Sequence, residues 1–178
     1  MARIDFYTID YAEKEAIFKA IATEKGMTPF AIEKDWWVVQ TLSVIFDMEV
    51  APYLVFKGGT SLSKVWKLIE RFSEDIDLAI DKSLFGFDND DLEPKHIDKL
   101  RKVTGRFVDN EFLPLLKSGF KAKGLVDITI ELVPGKRSDR DRQINIEYPF
   151  VISPAGYLPP SIKVEFSCRS LMEPATHR

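Results

Sequence analysis

Two short motifs carry side chains whose types and spacing could do chemistry together. The first runs from Lys57 to Ser61 and places two glycines between a predicted strand and a predicted helix. Glycine adopts backbone conformations closed to other residues, and a helix N-terminus offers unpaired N–H groups, so such a turn suits a phosphate. The second is Asp75-Ile76-Asp77, in a segment that alternates polar and apolar residues. Side chains alternate along a strand, so both carboxylates should share one face and suit Mg²⁺, which takes hard oxygen ligands.

Each motif alone has a purely structural explanation. A pair of glycines often serves a tight turn, and two acidic residues on a strand often form an exposed face that discourages pairing with other chains. Together the motifs are more specific, because they bring an anion site and a cation site close to each other. That combination is typical of nucleotidyl transfer.

A third acidic residue is expected from another strand, to help hold a metal ion and accept a proton. The predicted strand from Ser161 to Ser167 offers Glu165 on its polar face, two residues after Lys163. This face is also typical of a solvent-exposed row of salt bridges. Three acidic residues in the other predicted strands remain alternatives: Asp127, Glu131 and Glu147.

The first fifty residues have the apolar spacing of two helices. The first helix should run from Asp10 to Gly26, and the second should have Thr28 as its N-cap, Pro29 at its first position, and Phe46 near its end. The core-facing positions predicted for the first helix are Ala12, Ala16, Ile17, Ala20 and Ile21. Those predicted for the second are Ile32, Trp36, Val39, Leu42 (or Ser43) and Phe46.

The rest of the chain mixes strands and helices. A helix after the glycine turn should bury Leu62, Val65, Trp66 and Ile69, and another should begin at Pro94 and bend or end near Pro114. Strands are predicted at Tyr53 to Phe56, Asp75 to Ile80, Leu125 to Val133, Ile144 to Val151 and Ile162 to Phe166. The predicted fold class is therefore α+β.

The composition excludes several classes of protein. The 178 residues include 25 Lys or Arg and 28 Asp or Glu, so the net charge of −3 argues against a polybasic nucleic-acid-binding protein. A local basic segment holds Lys136, Arg137, Arg140 and Arg142, and interleaved acids favour a solvated hairpin loop there over a nucleic-acid contact. The single cysteine, Cys168, cannot form an intramolecular disulfide, and no apolar run approaches the ~20 residues of a membrane span. We therefore expect a cytoplasmic protein with no membrane partner.

At these motifs the sequence resembles a known family. The segment from Phe56 to Lys64 (FKGGTSLSK) and the segment from Arg71 to Leu78 (RFSEDIDL) are similar to the signature of the AbiEii/AbiGii nucleotidyltransferase toxins. These are the toxin half of type IV abortive-infection toxin–antitoxin systems. The segment from Ile32 to Trp36 (IEKDW) resembles the upstream helix of the family, and Ile162 to Ser167 (IKVEFS) resembles its later acidic strand.

The resemblance implies a polymerase-β-like nucleotidyltransferase core, with a short mixed sheet flanked by helices. It implies that Asp75, Asp77 and Glu165 are catalytic and hold Mg²⁺. It also implies a set of residues that contact the nucleoside triphosphate: Lys57, Gly58, Gly59, Thr60, Ser61, Lys64, Arg71 and Ser73. The implied reaction is Mg²⁺-dependent transfer of NMP from an NTP to a hydroxyl of RNA or tRNA, and a cognate antitoxin is the implied protein partner.

The predicted organisation has N-terminal helices over residues 1–50, a nucleotidyltransferase core over 51–170 and a tail over 171–178. Family members usually continue into a helical region that carries a Lys and an Arg-Asp motif, and we expect that region to be absent from the tail. Two alternatives stay open: a non-catalytic nucleotide-binding or interaction module, and a nucleotidyltransferase that acts on a small molecule.

Overall fold

A computed structural model describes residues 5–59, 61, 75–87, 94–133, 142–154 and 159–167. Four α-helices in these ranges are numbered in chain order: α1 (Tyr11–Lys25), α2 (Pro29–Phe46), α3 (Pro94–Phe107) and α4 (Leu113–Ala122). Five strands are β1 (Leu54–Lys57), β2 (Asp75–Ile80), β3 (Thr129–Leu132), β4 (Arg142–Glu147) and β5 (Ser161–Ser167). The α+β class predicted from the sequence is confirmed.

The ends of the first two helices follow local sequence signals. The Asp10 side chain accepts the N–H of Glu13 at the start of α1, and Gly26 ends that helix with a left-handed φ of +64°. The Thr28 hydroxyl accepts the N–H of Ala31, and Pro29 occupies the first turn of α2. Proline fits there because its missing N–H would have no partner within the helix. The predicted caps of both helices are therefore confirmed.

The five strands form one mixed sheet in the order β1-β2-β5-β4-β3. The central strands β2 and β5 are parallel, and the other pairs are antiparallel. One face of the sheet is apolar and carries Ile76, Leu78, Ile144, Val164 and Phe166, all of which are buried. The α2 helix packs against β2, β5 and α4, and its buried side chains join this core. Burying each aliphatic or aromatic side chain contributes about 1.5–3 kcal/mol, so the apolar face anchors the whole sheet.

The buried faces of α1 and α2 differ from the prediction. In α2 the buried apolar residues include Trp37, Val38, Val44 and Ile45, whereas Val39 is 43% exposed and Phe46 is 41% exposed. Ile32, Trp36 and Leu42 are only half-buried, and Ser43 is exposed. In α1 the core contacts come from Phe18 and Ala22, while Ala12, Ala16, Ala20 and Ile21 are exposed and Ile17 is half-buried. Both helices carry apolar residues on more than one side, so the spacing did not single out the buried face.

The α3 and α4 helices form a nearly continuous run through Pro114. A π-helical turn at Val108–Phe112 separates them, and the N–H of Leu113 donates to the carbonyl of Val108. This wider turn comes just before Pro114, which has no N–H to donate. The helix that was expected to bend or end near Pro114 therefore continues to Ala122 with a changed hydrogen-bond pattern.

Strands β3 and β4 are shorter than predicted. Asp127 has a left-handed φ of +59°, which interrupts extended backbone, so β3 begins only at Thr129. The last residue of β4 is Glu147, shortly before Pro149, which has no N–H to donate to a strand partner. Arg142 is the first residue of β4 and not a loop residue, which corrects the prediction of a solvated hairpin loop at that position. Lys136, Arg137 and Arg140 lie outside the described residues.

Candidate active site

The polar face of the sheet brings the predicted carboxylates together. Asp75 and Asp77 alternate with the buried Ile76 and Leu78 along β2, so both half-exposed acids share the face opposite the core. Glu165 is the register partner of Asp77 on the adjacent parallel strand β5. Register partners on neighbouring strands stand about 4.8 Å apart and project to the same side. The acid from β5 therefore lies next to the pair from β2.

Two rows of polar residues cross this face. The first row contains Lys57 of β1, Asp77 of β2, Glu165 of β5 and Gln143 of β4. The second row contains Asp75, Lys163, Asn145 and Glu131. Each row pairs an aspartate with a lysine on a neighbouring strand. The face thus holds positive and negative charge side by side, as a metal and polyphosphate site requires.

The register also places the rival acidic residues. Glu131 lies in the row of Asp75 but three strands away, which is roughly 14 Å at the usual strand spacing. Glu147 pairs with Ser161, two strands from β2 and past the level of Asp75. Asp127 is an exposed residue in the connection before β3. Of the four candidates, Glu165 alone is a direct neighbour of Asp77.

Gly58 lies directly over the carboxylate of Asp77. Its φ is +75°, and a Cβ atom built on it would stand 2.0 Å from Asp77 Oδ2 and 2.8 Å from Asp77 Cγ. Real Cβ atoms do not approach other atoms that closely, so any side chain at position 58 would occupy the place of the carboxylate. The glycine is therefore required both by its backbone conformation and by the space that Asp77 fills.

The other residues of the predicted triphosphate site divide into two groups. Lys57 and Gly59 are half-buried, and Ser61 is buried. Thr60, Lys64, Arg71 and Ser73 lie outside the described residues, as do Leu62, Val65, Trp66 and Ile69 of the predicted helix. The roles of all these residues stay predictions.

The donor set of the polar face suits Mg²⁺. Within the described ranges, no group of three or more His, Cys, Asp or Glu side chains stands close enough to hold a metal ion. Magnesium needs fewer protein ligands than that, because it is usually bound by one or two carboxylates with water and substrate phosphate in the remaining positions. Asp75 and Asp77 supply two such carboxylates next to the glycine turn. These residues therefore fit the metal that the motifs predict.

A comparison with known protein families gives a match that includes the residues of this site. A family model described as "Nucleotidyl transferase AbiEii toxin, Type IV TA system" matches residues 41–178, which include all five strands. The chain belongs to this family. The family predicted from the sequence is therefore confirmed.

Solved structures that are similar to this chain include MenT4, a nucleotidyltransferase toxin from Mycobacterium tuberculosis H37Rv. It is 18% identical, with a TM-score of 0.42 over 90% of this chain and 44% of that chain. The AbiEii-family chain described here thus spans less than half the length of that structure. No curated protein matches the chain. Among the described residues, no helix combines the length and the apolar character needed to cross a membrane.

Two charged residues of α2 contact the connection that leads into β5, a role that the sequence reasoning missed. Glu33 and Lys34 of α2 are each 1% exposed. The Glu33 carboxylate accepts the N–H of Val151 at 2.6 Å and the N–H of Ile152 at 2.8 Å, and Lys34 Nζ donates to the carbonyl of Pro159 at 3.2 Å. These hydrogen bonds fix α2 to the connection between β4 and β5, the strand that carries Glu165.

The electrostatics of Glu33 reflect its surroundings. Burial raises the pKa of Glu33 above its usual value, and the hydrogen bonds from Val151 and Ile152 and the charge of Lys14 act in the opposite direction. The run of three charged residues from Glu33 to Asp35 inside an apolar helix was the available signal for this role, because charged residues are rarely buried without specific partners.

Proposed function

We propose that this chain transfers a nucleotide from an NTP to an acceptor hydroxyl, with Asp75, Asp77 and Glu165 as its catalytic carboxylates. The observation that carries the proposal is the row Lys57–Asp77–Glu165 on the polar face, with Gly58 pressed against the Asp77 carboxylate. Membership of the AbiEii family supports the same class of reaction.

The reaction forms a bond between the acceptor oxygen and the α-phosphorus while the bond from that phosphorus to the bridging oxygen breaks and pyrophosphate leaves. Little covalent chemistry is needed from the protein, because catalysis of phosphoryl transfer is mainly positioning and charge stabilisation. When bound, Mg²⁺ neutralises charge on the phosphates and fixes their orientation. Asp75 and Asp77 would hold the ion, and Glu165 would also accept the proton of the acceptor hydroxyl.

The glycine turn supports binding of the triphosphate. Gly58 and Gly59 add no side chain between the main chain and a ligand, and Lys57 and Lys163 add positive charge to the two rows. Thr60, Ser61, Lys64, Arg71 and Ser73 are proposed as further triphosphate contacts. An RNA acceptor, tRNA included, is the proposed substrate, and an antitoxin protein in the same cytoplasm is the proposed partner.

The decisive experiment incubates the purified chain with each of four α-labelled NTPs and total RNA, with Mg²⁺ or with EDTA. We expect label on RNA only with Mg²⁺, and no label above background for the double variant Asp75→Asn, Asp77→Asn. The exposed double variant Glu13→Gln, Glu49→Gln is the matched control, because it removes the same charge from α1 and from the turn after α2. Label on a small molecule would instead indicate a small-molecule acceptor.

Binding of NTP without turnover would support the non-catalytic alternative, and calorimetric titration with NTP distinguishes the two. Activity that survives in the Asp75→Asn, Asp77→Asn variant would overturn the assignment of these carboxylates. Circular dichroism of each variant checks that the fold is retained, as expected when a half-exposed carboxylate is replaced by an amide of the same shape.

A further inference from the structure

A cleft between α3 and β4 is lined almost entirely by positive charge. Its volume is about 260 Å³, and its lining residues are Arg101, Lys102, Gly105, Arg106 and Arg142. Four of these five residues are cationic, in a chain whose net charge is −3. The cleft is thus a local concentration of charge that the overall composition does not predict.

Gly105 sets the shape of the cleft. A Cβ atom built at position 105 would lie 3.2 Å from Arg142 Nη2 and 3.3 Å from Arg142 Cζ. The helix can pass this close to the guanidinium only because the residue has no side chain. The Arg142 guanidinium is held by Asp109, which accepts from Nε at 2.9 Å and from Nη2 at 3.0 Å. An arginine has five N–H donors, and since Asp109 is its one acceptor among the described residues, three donors remain for a ligand.

The remaining cations are arranged along α3. Arg101 bonds to Asp98 at 3.0 Å, whereas Lys102 and Arg106 are exposed and make no ion pair with another described residue. From Arg101 to Arg106 the helix rises about 7.5 Å, so the charges form a stripe rather than a ring around one point. Such a stripe matches the successive charges of a polyanion better than it matches one small anion.

The lining also argues against a protein ligand. Among the residues that the structure describes, no apolar or aromatic side chain lines the cleft. Stable protein interfaces have an apolar or aromatic centre, whereas the phosphate backbone of a nucleic acid is bound largely by lysine and arginine. Arg142 precedes Gln143 on β4, and since successive side chains of a strand project to opposite faces, Arg142 shares the helix-facing side of the sheet with its register partner Phe166. The cleft therefore lies at the start of β4, on the face opposite Glu165.

We propose that this cleft binds the phosphodiester backbone of the RNA acceptor, independently of base sequence. That the bound RNA is the acceptor of the reaction rests on the proposed function. The binding of phosphodiesters by the cleft does not itself need catalysis. Lys102 and Arg106 contact phosphates directly, and Arg142 contributes its free donors from the floor of the cleft.

The test measures binding of a fluorescein-labelled single-stranded RNA by anisotropy, without NTP or Mg²⁺, over a series of salt concentrations. The double variant Lys102→Ala, Arg106→Ala should bind at least about 10-fold more weakly at low salt. Its slope of log affinity against log salt should fall by about 1.4, because each lost contact with a single strand removes roughly 0.7. The control Lys117→Ala, Lys121→Ala removes the same charge from exposed positions of α4 and should change neither quantity.

Further arms separate the possible ligands and causes. Lys102→Arg, Arg106→Lys keeps the charge and should restore binding, which a mere folding defect in the alanine variant would not predict. Asp75→Asn, Asp77→Asn should keep RNA affinity and salt slope even if transfer is lost, so failure of catalysis and failure of the cleft are distinguishable. An unchanged slope in the alanine variant would overturn the proposal. So would competition by inorganic phosphate as strong as by RNA, or an effect on binding of poly-glutamate without an effect on RNA.

Discussion

The carboxylate of Asp77 fills the space that a side chain at Gly58 would need, since a Cβ atom on the glycine would lie 2.0 Å from Asp77 Oδ2. This contact ties the glycine turn to the acidic strand. In the proposed reaction the turn holds the triphosphate and the aspartate holds the metal, so the position of one fixes the position of the other.

Replacement of Gly58 by alanine should therefore disable the site. We expect Gly58→Ala to move the Asp77 carboxylate and lower Mg²⁺-dependent transfer by at least about 100-fold, as expected when a side chain in a metal or transition-state contact is displaced. The left-handed φ should also lower the free energy of unfolding by about 1 kcal/mol, measured by urea denaturation. Transfer is measured as initial rate with labelled NTP.

Gly86→Ala is the matched control for that variant. Gly86 has a φ of +74°, almost the same as Gly58, but a Cβ atom there would meet nothing within 4 Å. The control should show the loss of stability and keep its activity. Equal losses of activity in both variants would contradict the contact with Asp77 as the cause.

Because Glu165 lies beside Asp77, we expect its replacement to lower the rate of transfer more than replacement of Glu131 or Glu147. Glu165→Gln should lower the rate of transfer by about 10²–10⁴-fold, the usual contribution of a general base, with little change in stability. Glu131→Gln and Glu147→Gln make the same chemical change on exposed positions of β3 and β4 and should leave the rate within about twofold. A larger loss in either of these two variants than in Glu165→Gln would move the third carboxylate to that residue.

The raised pKa of Glu33 predicts that the free energy of unfolding depends on pH. Because burial raises the pKa of Glu33 in the folded chain, the unfolded chain releases this proton first as the pH rises above about 4.5. The contribution of Glu33 to stability is therefore greatest in acid and declines as the pH rises through the folded pKa. Glu33→Gln removes this titration and leaves one backbone N–H facing an amide NH₂, at a cost of about 1–3 kcal/mol.

The free energy of unfolding should consequently fall in Glu33→Gln by more at pH 5 than at pH 7, measured by urea denaturation at a series of pH values. Glu13→Gln, at an exposed position of α1, is the control for the change from a carboxylate to an amide and should give only a small difference. A gap between wild type and Glu33→Gln that stays constant over this range would refute the linkage.

Local signals were sufficient to predict much of the fold. The alternation of Asp75 to Ile80 predicted both the bounds of β2 and its buried face, because a two-residue period leaves one choice of face. Thr28 and Gly26 marked helix ends through hydrogen bonds with near neighbours in the chain. The buried face of α2 was not predictable in this way, since its apolar residues include the exposed Val39 and Phe46 and its buried ones adjoin Glu33 and Lys34.

The candidate site shows the same division. The sequence predicted which carboxylates share a strand, but the adjacency of Asp77 and Glu165 depends on parallel pairing between segments far apart in the chain. The stripe on α3 was missed because three residues separate Lys102 from Arg106 along the chain, and because Arg142 joins them only through the packing of helix on sheet. Such relationships arise from tertiary contacts, which a single sequence does not encode in its local pattern.

The place of β5 between β2 and β4 has a consequence for biosynthesis. This strand is made after every other described strand, yet it joins the two halves of the sheet. A nascent chain that has not released residue 167 from the ribosome holds two separate two-stranded ribbons, which are marginal in water, and it has no complete row of carboxylates. The three carboxylates would then come together only after β5 has left the ribosome.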